Sequence, residues 1–117
     1  MTVILDGTTL WTVNSVSTNN QGNGTVYITG TNKDKNESLS LAISGFIKGK
    51  KSYSIDYRGT GGNIYGNTGT YSQGSNLYDA RSGYINVTSV VNNAITGSFG
   101  LTTAKGGITG SFVAAEK

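Results

Sequence analysis

Apolar residues recur at every second position along most of this chain, and no segment holds a convincing period of 3.6 residues. In SLSLAIS, Leu39, Leu41 and Ile43 alternate with Ser40 and Ala42. Val26, Ile28 and Gly30 alternate in GTVYITGT, Tyr53, Ile55 and Tyr57 follow, and Ile85 and Val87 resume the pattern in SGYINVTSVV. Near the start, Trp11 and Val13 alternate with Leu10, Thr12 and Asn14. Successive side chains of a strand point to opposite faces, so period two marks strands with one apolar face. Turn signals separate them: NNQGNG at 19–24, NKDKNE at 32–37, KGKK at 48–51 and VNNA at 91–94. Only 13% of residues are charged, yet seven Tyr, three Phe and one Trp set the chain apart from disordered sequences. Its 117 residues, without a Pro-rich or charged linker, suit one domain spanning 1–117. The expected fold is all-β, a single antiparallel β-sandwich or up-and-down barrel of about eight strands.

The pentapeptide ITGSF occurs twice, beginning at Ile95 and at Ile108. If a loop over 103–106 lets Leu101 face Ile108, antiparallel pairing sets Phe99 opposite Gly110, Gly97 opposite Phe112 and Ile95 opposite Ala114, all on one face. Each Phe then lies over a glycine, and a cross-strand ring that covers a bare glycine restores lost contact and pins the register. The repetition therefore reads as structural, not as a duplicated site. YITGT, from Tyr27, has the ITG without the Phe and fits the same logic. Thr96, Ser98, Thr109 and Ser111 fall on the opposite, solvated face. Such hydroxyls raise ice or polysaccharide surface binding, but a flat regular Thr array longer than two strands is not visible in the sequence. The core is expected at Trp11, Leu39, Leu41, Ile43, Ile85, Val87, Phe99 and Phe112.

The order DGTTLWTVNSV, YITGTN, SLSLAISGF, a Tyr-bearing segment and SGYINVTSVVNNAITGSFGLTTAKGGITGSF resembles a group of small secreted or lipid-anchored all-β proteins of unknown function, frequent in Bacteroidota. That group opens with a Gly-x-x-Trp strand and closes with an ISGTFSF…ITNGSF-like hairpin. Here one extra residue separates Gly7 from Trp11, residues 83–88 match the penultimate strand, and residues 94–112 match the closing hairpin. The resemblance implies an extracytoplasmic setting, secreted or at the cell surface, the periplasmic side included. The group's lipid-attachment Cys and signal peptide are not in this sequence, so a targeting segment is expected to be absent from it. No mechanism follows from the resemblance.

Several chemistries are excluded by residue type. No His and no Cys occur, which removes Ser–His–Asp and Cys–His triads, thiolate nucleophiles and disulfides. A carboxylate pair, as in glycoside hydrolysis, would have to come from Asp6, Asp34, Glu37, Asp56, Asp79 and Glu116, and only Asp56 with Asp79 has aromatic surroundings. Asp56 reads equally as a strand-edge charge beside Arg58 or Arg81. The expectation is no enzyme, no cofactor and no metal; interleaved lysines oppose a calcium loop at Asp34, Asn36 and Glu37, which reads as a solvated turn. The net charge of +3, with Lys48, Lys50 and Lys51 in one run, is too weak and too free of interleaved aromatics for a nucleic-acid binder. Nothing approaches the ~20 apolar residues of a membrane-spanning helix.

Binding is the more credible class. Tyr53, Tyr57, Tyr65, Tyr71 and Tyr78 crowd one stretch rich in Gly and Asn. Tyr pairs a flat apolar face with a hydroxyl and suits both sugar stacking and protein contact. Tyr53 and Tyr57 share a face with Ile55 and belong to the core, whereas Tyr65, Tyr71 and Tyr78 have no clear period. The candidate ligand patch is Tyr65, Tyr71 and Tyr78 with Asn63, Asn67, Gln73, Asn76 and Arg81. The leading expectation is a non-enzymatic extracytoplasmic binding module for a glycan or a surface protein. The alternatives are a structural or assembly protein that uses its strand edges, and a small-ligand carrier with an apolar cavity, which glycines in strands argue against.

Overall fold

The computed structural model describes residues 1–13, 16–20, 25–44, 51–55, 67–92 and 94–116. These form strands β1 (Thr2–Leu5), β2 (Thr8–Thr12), β3 (Val16–Asn20), β4 (Thr25–Asn32), β5 (Glu37–Ser44), β6 (Lys51–Ser54), β7 (Thr68–Gln73), β8 (Asn76–Asp79), β9 (Ser82–Val91), β10 (Ala94–Thr103) and β11 (Gly106–Glu116). One sheet runs β6-β9-β10-β11-β1-β2 and the other β3-β4-β5-β7-β8, with antiparallel ladders inside each. They meet through a short parallel pairing, Ala115↔Ser17 and Glu116↔Thr18, and through the isolated parallel bridge Ile55↔Asn67. The result is a sandwich, not a barrel. The barrel alternative is overturned because β7 skips β6 to pair with β5, and β1 returns to β11.

The described residues hold eleven strands where about eight are expected. The surplus comes from short hairpins whose turns break the alternation early. Asp6 and Gly7, with φ of 47° and 87°, join β1 to β2. Two successive positive φ angles are the mark of the tight hairpin turn whose twist matches paired strands. Between β7 and β8 only the first turn residue, Gly74, has a positive φ, 61°, the pattern of the other tight hairpin turn, which favours Gly at its first position.

The closing hairpin adopts the register that the ITGSF repeat implies: Leu101↔Ile108, Phe99↔Gly110, Gly97↔Phe112 and Ile95↔Ala114. A Cβ placed on Gly97 would stand 2.8 Å from Phe112 Cζ, and one on Gly110 would stand 2.7 Å from Phe99 Cζ. The two rings stack at 6.5 Å with 19° between their planes. Thr103 holds the turn, its hydroxyl accepting the Lys105 N–H at 3.1 Å and donating to the Gly106 carbonyl at 3.0 Å.

The same device joins the two sheets. Leu101 of β10 lies over Gly69 of β7, where a Cβ would meet Leu101 Cδ1 at 2.9 Å. Met1, leading into β1, sets its thioether over Gly30 of β4, where a Cβ would stand 2.7 Å from the sulfur. The glycine in YITGT is thus covered by a methionine from the other sheet, not by a cross-strand ring. Trp11, Leu39, Leu41, Ile43, Ile85, Val87, Phe99 and Phe112 are all buried, as expected, and Tyr53, Ile55 and Val13 pack against them. Tyr57 lies outside the described residues.

Gly97→Val is expected to destabilise the protein by about 1–3 kcal/mol, because the new side chain meets Phe112 and collides with the Asn86 carbonyl. Denaturant unfolding of the variant beside wild type measures this, and an unchanged midpoint would contradict the ring-over-glycine register.

Candidate functional site

The tyrosine-rich segment divides in two. Tyr65 and Asn63 lie outside the described residues, as do Asp56, Arg58, Lys48 and Lys50. Tyr71 stands in phase with Gly69 on β7, faces Leu39 across the ladder and is fully buried. Its ring is therefore core and not a stacking surface, which corrects the expectation for this residue. Tyr78, opposite Tyr71 on β8, is half-buried, its centroid 6.4 Å from the Tyr71 ring and 5.4 Å from Lys105 Nζ.

Beneath these rings lies a polar clasp between the sheets. Tyr71 Oη donates to Glu37 Oε2 at 2.6 Å, and Gln73 Nε2 donates to Glu37 Oε1 at 3.1 Å. From the other sheet, Trp11 Nε1 reaches Tyr71 Oη at 3.4 Å, and Lys105 Nζ donates to Gln73 Oε1 at 3.0 Å. Lys35 Nζ crosses the same end of the sandwich to the Leu10 carbonyl at 3.1 Å. Glu37 is 9% exposed, not part of a solvated turn. The signal is in the sequence: Glu37 continues the phase of Leu39, Leu41 and Ile43 backwards by one step.

Burial alone would raise the Glu37 pKa, but the hydrogen bonds from Tyr71 and Gln73, with the nearby Trp11 N–H and the Lys35 charge, hold it below the ordinary value of 4.5. Burial, followed by the bond to Glu37, pushes the Tyr71 phenol up to about 12. The clasp thus consumes Tyr71 and Gln73. Asn76 is exposed at the β7–β8 turn, Arg81 is exposed with its backbone N–H on the Thr102 carbonyl at 2.8 Å, and Asn67 Nδ2 donates to the Ser54 carbonyl at 3.2 Å. Of the residues named from sequence that are described, Tyr71, Gln73, Asn76 and Tyr78 lie together on the β7–β8 hairpin, with Tyr71 buried in the core, while Asn67 precedes β7 and Arg81 follows β8. Asp79 accepts from Thr70 Oγ1 at 2.9 Å, and among the described residues no three acidic side chains gather as a metal site would need.

The outer face of the β6-β9-β10-β11-β1-β2 sheet is a different surface. Register carries one row across all six strands: Ser52, Asn86, Ser98, Ser111, Thr2 and Thr12. A second row runs beside it through Ser54, Tyr84, Gly100, Thr109, Ile4 and Thr9. Neither row carries a charge. The first row, of short polar side chains, therefore spans six strands, with Thr on only two of them, because β1 and β2 are placed beside β11 by the fold. Tyr84 lies across Gly100, where a Cβ would stand 2.6 Å from Tyr84 Cε1, and the residue is 47% exposed. At the far end, Thr2, Thr12 and Ser111 border an open cleft of about 350 Å³ that also touches Val13, Thr96 and Val113. Within the row, the Thr2 and Thr12 hydroxyls lie 3.3 Å apart and bond each other; on the other sheet, those of Thr29 and Ser40 do so at 3.1 Å, and Thr70 leads to the charged Asp79.

The clasp fixes a pH dependence. Tyr71 contributes stability that is complete below its ordinary value of 10.0 and is lost as pH rises through about 12; Glu37 contributes stability present above 4.5 and lost as pH falls through its lower folded value. Tyr71→Phe, which leaves Glu37 without its shortest donor, is expected to cost about 2 kcal/mol at neutral pH and to flatten the stability loss above pH 10. Urea unfolding of both proteins across pH 8–12 measures it, and parallel curves would contradict the clasp.

Comparison with curated proteins and with solved structures gives no match. Among the described residues no helix is long and apolar enough to cross a membrane. A family model described as "Domain of unknown function (DUF6252)" matches residues 3–115, nearly the whole chain, and this all-β sandwich belongs to that family.

Proposed function

We propose that the protein is a non-enzymatic binding module of the extracytoplasmic space whose ligand is a glycan, and that Tyr84 on the outer face of the six-stranded sheet is the stacking residue. One observation carries this reading: an aromatic ring laid over a glycine, with its other side toward solvent, among short uncharged hydrogen-bonding side chains. A sugar ring offers an apolar C–H face and a rim of hydroxyls. Tyr supplies the complementary apolar face, and Asn86, Ser54, Ser98 and Thr109 stand beside it as donors and acceptors. The ring is held in place by the backbone beneath it, so little conformational freedom is lost on binding.

Catalysis is disfavoured by the state of the one buried carboxylate among the described residues, Glu37. A glycosidase acid needs a raised pKa and a partner acid within several ångströms, whereas Glu37 is held low and already accepts two hydrogen bonds. Assembly through a strand edge is the competing reading. It draws support from Leu77, exposed on the edge strand β8. That strand is only four residues long and ends in Asp79, features that discourage edge-to-edge pairing.

Binding to an array of neutral glycans, wild type beside Tyr84→Ala, tests the reading. The expected outcome is saturable binding by wild type, reduced about tenfold or more in the variant under conditions where its denaturant unfolding curve shows it fully folded. Equal binding by both proteins would remove Tyr84 from the site, and absence of binding by wild type would favour the strand-edge reading.

A further inference from the structure

We infer that the ligand of this face is an extended, uncharged polysaccharide chain lying across the strands, from the Tyr84 region toward the cleft beside Thr12; the inference rests on the glycan reading above. The row Ser52, Asn86, Ser98, Ser111, Thr2 and Thr12 places one hydroxyl or amide on each of six adjacent strands. Neighbouring strands lie about 4.8 Å apart, so the row spans about 24 Å. One sugar of an extended β-linked chain advances by nearly one strand spacing, which brings a donor and acceptor beneath each unit in turn. A ligand confined to one sugar would engage Tyr84 and its neighbours and leave most of the row unused.

Charge selects the kind of chain. Neither row carries a Lys, Arg, Asp or Glu, although the protein has a net charge of +3. Among the described cations near the sheets, Lys105 is committed to Gln73 and Tyr78, Lys35 to the Leu10 carbonyl, and Lys51 lies over Tyr53, 5.3 Å from the ring centroid. The Met1 ammonium, which borders the cleft, is taken up by the Val13 carbonyl, and the exposed Arg81 stands in neither row, so an acidic polysaccharide would find little counter-charge along the track. Hydroxyls and a carboxamide, which both donate and accept, match a neutral chain.

Sheet twist narrows the choice further. Adjacent strands rotate by roughly 20–25°, so the side chains of the row turn progressively about its axis. Such a track fits a single soluble chain that can twist with it. A flat crystalline face would touch only part of the row at once. At this end of the row, the cleft bordered by Thr12, Thr2 and Ser111 opens beside the track toward Thr96 and Val113 and offers room for the chain there.

The test is affinity electrophoresis through gels containing hydroxyethyl cellulose or, as the charged comparison, carboxymethyl cellulose, followed by calorimetric titration with cello-oligosaccharides from dimer to hexamer. Retardation by the neutral polymer exceeding that by the charged one, with affinity rising on the order of tenfold from dimer to hexamer, is expected. Ser111→Arg, an exposed change in mid-row, is expected to abolish the length dependence, and Thr12→Arg, also exposed, to weaken it; unfolding curves confirm that each variant is folded. Tyr84-dependent binding with no length dependence would overturn the extended-chain inference and leave the glycan reading standing. Absence of binding to every neutral glycan would overturn both. Self-association of wild type that Ser111→Arg abolishes would assign the face to a second copy of the chain and overturn the inference.

Discussion

A side chain laid over a glycine is the contact on which this sandwich depends. Phe99 covers Gly110 and Phe112 covers Gly97 within one sheet, Leu101 covers Gly69 and Met1 covers Gly30 between the sheets, and Tyr84 covers Gly100 on the outside. Each glycine lets a large group approach the backbone more closely than any Cβ would permit. A chain with 18 glycines and 35% hydrophobic residues has few large side chains to fill two sheets. Covering glycines makes each of them contribute packing where a flat backbone would otherwise leave a gap. The glycines that weaken strands by propensity are the positions where the strands are held.

Core packing and the outer face are connected through this arrangement. Because Phe99 and Phe112 occupy the inner face of the hairpin, Ser98 and Ser111 must face outward, and Gly100 presents bare backbone for Tyr84 to lie across. A slip of one residue would turn the rings to solvent and the hydroxyls into the core. The clasp around Glu37 acts at one end of the sandwich, where Trp11 and Lys105 tie the second sheet to the first. A buried carboxylate that has found two donors resists any rearrangement that would strip them away. Inner rings, outer hydroxyls and the clasp together define one stable surface.

Alternation made the strands legible, and the ITGSF repeat made the closing hairpin legible down to its register. Leu39, Leu41, Ile43, Ile85 and Val87 face inward because period two requires it, and Trp11 was recognisable as an anchor from its neighbours. The candidate site was less legible. Tyr71 lies among Gly, Ser and Thr, whose small side chains carry no phase, so its burial emerges only when β7 is paired to Leu39 of β5. The outer rows depend on Thr2 meeting Ser111, residues at opposite ends of the sequence. Local patterns do not encode which distant strands become neighbours. The alternation of Ile85 and Val87 did not single out Tyr84, whose exposure has meaning only beside Gly100, Asn86 and Ser98.

The central claim is that the outer face around Tyr84 is the ligand surface. Amide and side-chain chemical shifts recorded during titration with cellohexaose test it most directly. The account predicts saturable perturbations confined to Tyr84, Asn86, Ser98, Ser111 and their neighbours along the two rows. Perturbations centred on Tyr78 and Lys105, with Tyr84 unmoved, would contradict it.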